Sequence, residues 1–199
     1  MLAQLIILLL LGGLAYGAYR VLKARQSHAA ERPDTRPQLL RLAPGAVLQL
    51  PAIGDDMAEQ DVQVSARHRY VEDGYTWTEY ACDAGDARYH LDVEYDDELE
   101  TSVTLARINL DEIGVSPDEF DSVREITYQG QTYRRGESGR AHYYANGEGA
   151  GEAYEYRDFN GEGPRSIALE RWGDDCRAYL TQALNPDRIR IYSEGGTDA

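Results

Sequence analysis

The sequence predicts a mainly β fold, an antiparallel barrel or sandwich that follows one N-terminal transmembrane helix. From Asp61 onward, apolar and polar residues alternate with period two, as in half-buried strands. Asp73-Gly74 separates two such runs and is typical of a tight β-hairpin turn. The chain has 15 Tyr beside 2 Phe, a composition that suits strands with solvated edges.

The predicted membrane anchor covers residues 1–23. The run from Leu2 to Tyr19 has no charged residue and is near the shortest length that spans a bilayer. Two further apolar residues extend it to Leu22, while Arg20 can reach the membrane surface with its long side chain. A cleaved signal peptide is the alternative, although the run lacks the positively charged start that such peptides have.

The basic residues near the anchor lie on its C-terminal side. The positive-inside rule therefore predicts a single-pass protein of the inner (cytoplasmic) membrane with its C-terminal domain in the cytoplasm. Residues 24–38 contain Pro33 and Pro37 and no apolar periodicity, which predicts an extended linker. A β-rich domain is expected over 39–192 and a flexible tail over 193–199.

The charge of the chain narrows the classes of partner. The formal net charge is −15, and because residues 1–30 carry three basic and no acidic residues, residues 31–199 carry −18. Such a domain should repel nucleic acids, whose binding depends on neutralising phosphates. It should attract cations, among them polyamines and basic segments of other proteins.

Two stretches organise the predicted sheet. Arg69 to Tyr80 reads R-Y-V-E-D-G-Y-T-W-T-E-Y and is the densest aromatic segment, centred on the predicted hairpin turn. In the strand near residue 90, Leu91 and Val93 are expected to face the core, and Asp92 and Glu94 to face outward.

The second half of the chain repeats part of the first at an offset of 76 residues. Glu79-Tyr80 corresponds to Glu155-Tyr156, and the Leu91-x-Val93-Glu94 pattern to Ile167-x-Leu169-Glu170. This correspondence predicts two similar antiparallel meanders. Between them, Ser116 to Glu119 has the residues of a helix start, and the short helix should pack Phe120 and Val123 over one end of the sheet.

The Arg69–Tyr80 stretch resembles the R-Y-x-E-D-G-Y-x-W-x-E-Y motif of a bacterial family of domains of unknown function, found in membrane-associated proteins. The resemblance extends over roughly residues 40–192, with further matches at Tyr128–Tyr133 and Leu169–Trp172. His90 departs from it, since a larger aromatic residue is expected there. The resemblance implies a β-rich fold and links to polyamine synthesis or envelope stress, and it implies no catalytic residues.

Searches for catalytic, cofactor-binding and metal-binding motifs are negative at the level of sequence. Counted from Asp92, the positions that an EF-hand fills with Gly and Glu hold Asp97 and Val103, so a solvated acidic turn is the preferred interpretation. The spacing of Cys82 and Cys176 matches no zinc site. No phosphate-binding loop or hydrolase motif is present. We therefore predict no catalytic residue, no metal and no cofactor.

One group of residues forms a candidate ligand or partner surface. Aromatic faces and carboxylates together can hold a cation, which indicates the set Trp77, Tyr80, Glu94, Glu170 and Trp172. Packing of the aromatic residues within the sheet is the competing interpretation and the favoured one.

Three functional hypotheses follow. The leading one is a binding or interaction module without enzymatic activity, anchored in the membrane through Leu2–Leu22, whose partner is another protein or a small cation. The alternative is an enzyme or accessory subunit that acts on a cationic metabolite such as a polyamine. The third is an exported domain with a Cys82–Cys176 disulfide.

Overall fold

A computed structural model describes residues 38–55 and 58–196. It confirms the predicted mainly β, antiparallel fold, because every strand pairing is antiparallel. The strands are β1 (Val47–Leu50), β2 (Gln60–Glu72), β3 (Tyr75–Ala84), β4 (Ala87–Tyr95), β5 (Leu99–Ile108), β6 (Glu125–Tyr128), β7 (Gln131–Tyr144), β8 (Glu152–Asn160), β9 (Arg165–Trp172), β10 (Asp175–Leu184) and β11 (Arg190–Ser193).

The sheet closes on itself as a ring. Its strand order is β11-β1-β2-β3-β4-β5-β10-β9-β8-β7-β6, and an additional pairing joins β2 to β7. Eight strands, β2 to β5 and β7 to β10, therefore form a closed circuit. The β2–β7 junction contains three residue pairs, whereas the β2–β3 junction contains nine. Closure removes free edges from these eight strands.

The circuit consists of two successive antiparallel meanders, β2–β5 and β7–β10. An offset of 76 residues carries Leu99–Ile108 to 175–184, which are the bounds of β10, and carries the other strands close to their counterparts. Equivalent strands meet at both junctions, since β2 pairs with β7 and β5 with β10. The short strands β1 and β6 extend the edges of β2 and β7 in the same manner.

The apolar core lies on the outer faces of the ring in two clusters. The first packs residues such as Leu91 and Val93 of β4 against the entry segment near Leu42. The second packs Ile167 and Leu169 of β9 against Phe120 in the connection between the meanders. The inner face of the ring is consequently left for polar and aromatic side chains.

The connection between the meanders contains the predicted helix start in a shorter form. Pro117–Glu119 forms a 3₁₀ helix with a capping box between Ser116 and Glu119. Phe120 is buried and Val123 packs beside it, as predicted. The helix ends after one turn because the chain must return to the sheet as β6.

The predicted hairpin at Asp73-Gly74 is confirmed. Both residues have positive φ, 47° and 90°, and Glu72 pairs with Tyr75 across a two-residue turn. These values belong to a type I′ turn, whose twist matches that of the flanking strands.

The predicted anchor Leu2–Leu22 and the linker up to residue 37 lie outside the described residues. Within residues 38–55 and 58–196, no helix is long and apolar enough to cross a membrane. At the other end of the chain, the Glu194 carbonyl accepts a hydrogen bond from the Ala43 amide at 2.9 Å, so the residue after β11 lies beside the entry segment.

Candidate functional site

A cavity of about 670 Å³ occupies the interior of the ring, and all eight ring strands contribute to its wall. Strand alternation produces this wall, because residues whose neighbours face the outer core must themselves face inward. On β4, for example, Leu91 and Val93 lie in the first core cluster, while Asp92 and Glu94 line the cavity. These two acids were predicted to face away from the core, and the space that they face is the cavity inside the ring.

The cavity is strongly acidic. The described residues that line it include nine carboxylates. The basic residues among them are one arginine, Arg177, and two histidines, His68 and His90. The carboxylates are Glu72, Glu79, Asp92, Glu94, Glu100, Glu137, Glu152, Asp158 and Glu170.

Two pairs of acids face each other directly across neighbouring strands. Glu79 of β3 is the register partner of Asp92 of β4, and Glu94 of β4 is the partner of Glu100 of β5. All four line the cavity. Side chains directly opposite in an antiparallel pair lie about 5 Å apart at Cβ, and like charges there are destabilising. These two pairs therefore concentrate negative charge on the inner face of the sheet.

Aromatic side chains form a further part of the wall. Tyr154 stacks on Trp172 with ring centroids 4.5 Å apart, and Tyr70 stacks on Trp77 at 5.2 Å. Tyr143 links the two stacks, since it contacts both Tyr70 and Trp172. Such faces attract cations through their quadrupoles, and more strongly where water is excluded.

Aromatic and imidazole groups hold several of the carboxylates in place. The indole N–H of Trp172 donates to Glu170 at 2.7 Å. The Tyr70 hydroxyl donates to Glu79 at 3.2 Å, and His90 Nδ1 lies 3.1 Å from the same carboxylate. This contact with Glu79 raises the pKa of His90.

Asp92 and Asp158 differ from these carboxylates. Neither side chain forms a hydrogen bond with another described residue, and both line the cavity and are partly buried. Burial raises the pKa of Asp92 well above its usual value, and Glu79 and Glu94 add to the effect. Burial also raises the pKa of Asp158 to about 7, with Glu137 and Glu170 adding to it.

The structure brings together four of the five predicted surface residues. Trp77, Glu94, Glu170 and Trp172 line the cavity. Tyr80 does not, because it lies on the opposite face of β3 and is fully buried in the first core cluster. Tyr80 and Trp77 are three positions apart in β3, and strand residues that are an odd number of positions apart face opposite sides of the sheet.

Sequence reasoning missed these two acids, Asp92 and Asp158. Asp92 was predicted to lie in a strand, to face outward and to precede a solvated acidic turn; it does lie inside β4, and the turn holds Asp96 to Glu98, but its role in the cavity was not foreseen. Asp158, which lies inside β8, was not among the predicted site residues. Each acid lies between two neighbours on a strand, and these neighbours face away from the cavity. Knowledge of the ring closure would therefore have placed both acids on its inner face.

Further features bear on chemistry. Among the described residues, no group of three or more His, Cys, Asp or Glu side chains is arranged to hold a metal ion. Both cysteines are free, with Cys82 buried in the first core cluster and Cys176 packed beside the second.

Comparison with known proteins gives a family. Residues 56–186 match the family described as Domain of unknown function (DUF4178). No curated protein and no solved structure matches the chain. The matched range contains all eight ring strands and every residue that lines the cavity. The chain therefore belongs to the DUF4178 family of domains of unknown function.

Proposed function

We propose that this domain is a binding module for a small organic cation, and that the cation occupies the acidic cavity within the ring. The observation that carries the proposal is the pair of carboxylates, Asp92 and Asp158, that form no hydrogen bond to another described residue and line a cavity where like-charged residues face each other across strands. A bound cation would supply the positive charge that this arrangement lacks.

A polyamine matches the cavity best among cationic metabolites. Carboxylates are distributed along the wall from Glu170 to Glu94 and Glu137, and stacked rings lie between them. A flexible chain with several ammonium groups can contact separated carboxylates while its methylene segments pack on aromatic faces. The anionic surface of the whole domain would raise the local concentration of such a ligand.

Calorimetric titration of the full chain with spermidine, in a neutral detergent at low salt, tests the proposal. We expect saturable heat with one ligand per chain. Replacing both Glu94 and Glu170 by Gln should weaken binding by at least about tenfold, which corresponds to about 1.4 kcal/mol. The matched control is Asp86→Asn, since Asp86 lies in the exposed β3–β4 turn. Absence of heat, or equal binding by the double variant, would overturn the proposal.

The module is held at the inner face of the membrane by Leu2–Leu22 in this proposal, with the domain in the cytoplasm. Support comes from the length of the uncharged run and from the basic residues that follow it. An alkaline-phosphatase fusion after residue 199 is active only when exported. It should be inactive here, and an active fusion would place the domain outside.

An enzyme or accessory subunit that acts on the same cation is the second candidate. It is favoured by Asp158, whose pKa of about 7 is that of a general acid or base suited to neutral pH. Incubation of the chain with spermidine and mass spectrometry of the products distinguishes the two candidates. Product formation that Asp158→Asn abolishes would establish the enzyme.

A further inference from the structure

The carboxylates inside the ring lie close enough together to disfavour one another's ionisation. Asp92 lies opposite Glu79 on the neighbouring strand, and its pKa also responds to the charges of Glu94, Asp158 and Glu170. Carboxylates confined together in this way share protons, since each ionisation raises the cost of the next.

The positive groups of the cavity are already engaged elsewhere. Arg177 donates through Nε to Asp175 at 2.7 Å and lies over the Trp172 ring. His90 contacts Glu79 at 3.1 Å. None of these contacts includes Asp92 or Asp158.

His68 is held neutral by its surroundings. Its Nδ1 accepts a hydrogen bond from the Asn146 backbone N–H at 3.2 Å, so this nitrogen carries no proton. The Tyr143 hydroxyl lies 3.1 Å from the same atom. Burial lowers the pKa of His68, with an opposing effect from Glu79 and a smaller lowering by His90. His68 therefore supplies no charge to the deeper acids at neutral pH.

We infer that the cavity exchanges a proton for its cation: the Asp92/Asp158 group holds a proton in the free protein and releases it when the ligand's ammonium enters. The inference rests on the proposed function. The exchange is balanced at each site, because one ammonium group takes the place of one proton, and that proton leaves for the solvent. The remaining ammonium groups of a polyamine pair with carboxylates that are already ionised in the free protein.

The two states differ in what lies beside the carboxylates. In the free protein, burial and neighbouring acids favour the protonated form, as the raised pKa of Asp158 indicates. An ammonium group within a few ångströms reverses this preference and favours the ionised form. Binding therefore lowers the pKa of the group, and protons compete with the cation. Affinity should fall as pH decreases from 7 to 5, by at most about tenfold per pH unit for one exchanged proton.

The groups that set this equilibrium come from every strand around the cavity. Besides those already named, Glu72 of β2 and Glu137 of β7 act on Asp158, and Glu100 of β5 acts on Glu94. All three are acids and so favour proton retention in the free protein. Glu152, which also lines the cavity, lies at its exposed edge.

Calorimetry in buffers with different ionisation enthalpies measures the exchanged protons directly. The full chain in neutral detergent is titrated with spermidine in PIPES and in Tris at pH 7, where the probe keeps its charges. We expect the observed heat to depend on the buffer, with release on the order of half to one proton per spermidine. In Asp158→Asn the release should fall by about half or more, while Asp86→Asn should match the parent chain.

Infrared spectroscopy of the ligand-free chain provides a measurement independent of binding. A protonated-carboxyl band should be present at pH 7, decrease when spermidine is added, and be weaker in Asp158→Asn than in the parent chain. Absence of this band in the ligand-free parent chain would overturn the exchange. So would heat of binding that is equal in both buffers, although the proposed function would then stand. Absence of heat in either buffer would overturn the proposed function and the exchange with it.

Discussion

At the scale of single residues, Asp158 makes stability depend on pH. Its pKa rises from 3.8 to about 7 on folding, because burial disfavours the ionised form. Between these two values the native state holds a proton that the unfolded chain has lost. The free energy of unfolding therefore falls as pH rises through this window, by up to roughly 4 kcal/mol from this group.

Asp158→Asn should remove this loss of stability. Urea denaturation at pH 5 and pH 8 measures it: we expect the variant to be more stable than the parent chain by roughly 2 to 4 kcal/mol at pH 8 and by a smaller margin, roughly 1 to 2 kcal/mol, at pH 5. Asp86→Asn serves as the control and should change neither value. A variant that is less stable than the parent chain at pH 8 would contradict the argument.

The two thiols should react very differently. Cys82 is fully buried, and burial raises its pKa to about 12, whereas Cys176 is partly exposed. Thiol titration with Ellman's reagent should detect one slowly reacting group in the native chain and two after unfolding. Cys176→Ser should abolish the native reaction. Fast reaction of both thiols in the native chain would contradict this expectation. So would the absence of any reaction after unfolding without reductant, which would indicate a Cys82–Cys176 disulfide and favour the hypothesis of an exported domain.

Individual residues also show what the sequence could reveal about the site. Trp77 and Trp172 were included in the candidate surface because aromatic faces beside carboxylates can hold a cation, and both line the cavity. Tyr80 was grouped with them by proximity in sequence, although strand alternation places it in the core. Asp92 and Asp158 could not be identified, since an acid that alternates with core residues is usually solvated.

At the scale of elements, Gly139 allows β2 and β7 to meet. Glu72, at the end of β2, accepts hydrogen bonds from the Arg140 amide at 3.2 Å and from the Tyr156 hydroxyl at 2.6 Å. A Cβ at residue 139 would lie 1.9 Å from Glu72 Oε1 and 2.7 Å from the Tyr156 hydroxyl. The absence of a side chain at this glycine therefore allows the contacts that supplement the short β2–β7 junction.

Gly139→Ala should displace Glu72 and cost about 1 to 3 kcal/mol of unfolding free energy, because hydrogen bonds to a charged group are lost. Chemical denaturation measures the loss. Glu72→Ala removes one of the atoms in conflict, so the double variant should lose less than the sum of the two single losses. Strict additivity would show that Glu72 is not the group displaced.

Bulges limited prediction at this scale. In β2 the register shifts between Val64 and Ala66. Before the shift, Val62 and Val64 lie in the core, and beyond it His68 and Tyr70 line the cavity. All four residues have even numbers, so period-two reasoning alone predicts one common face for them. Turn residues were more informative, because Asp73-Gly74 requires a backbone conformation that few residue pairs adopt.

At the scale of the whole molecule, net charge should limit stability at low salt. Residues 31–199 carry −18, and many of these charges face each other in the ring. Screening by salt weakens such repulsion. We expect added sodium chloride to raise the free energy of unfolding by about 1 kcal/mol or more between low and moderate ionic strength, as measured by urea denaturation.

The pair Glu94 and Glu100 offers a control for the salt effect. The double substitution to Gln removes one of the like-charged cross-strand pairs. It should increase stability at low salt by about 0.5 to 1 kcal/mol and reduce the gain from added salt. Unchanged salt dependence in this variant would assign the effect to charges outside the cavity.

Closure of the ring also determines when the protein can finish folding. The β5–β10 junction joins residues that are far apart in sequence, and the Thr101 hydroxyl donates to the Leu184 carbonyl across 83 positions. At the start of the domain, β1 pairs with β11, so Val47 meets Ser193. During synthesis the first meander and the adjoining β1 therefore lack their pairing partners β10 and β11 until these strands have emerged from the ribosome, and until then their unpaired edges remain exposed to solvent. Such distant pairings slow folding, and the waiting meander is the species most exposed to aggregation and most dependent on chaperones.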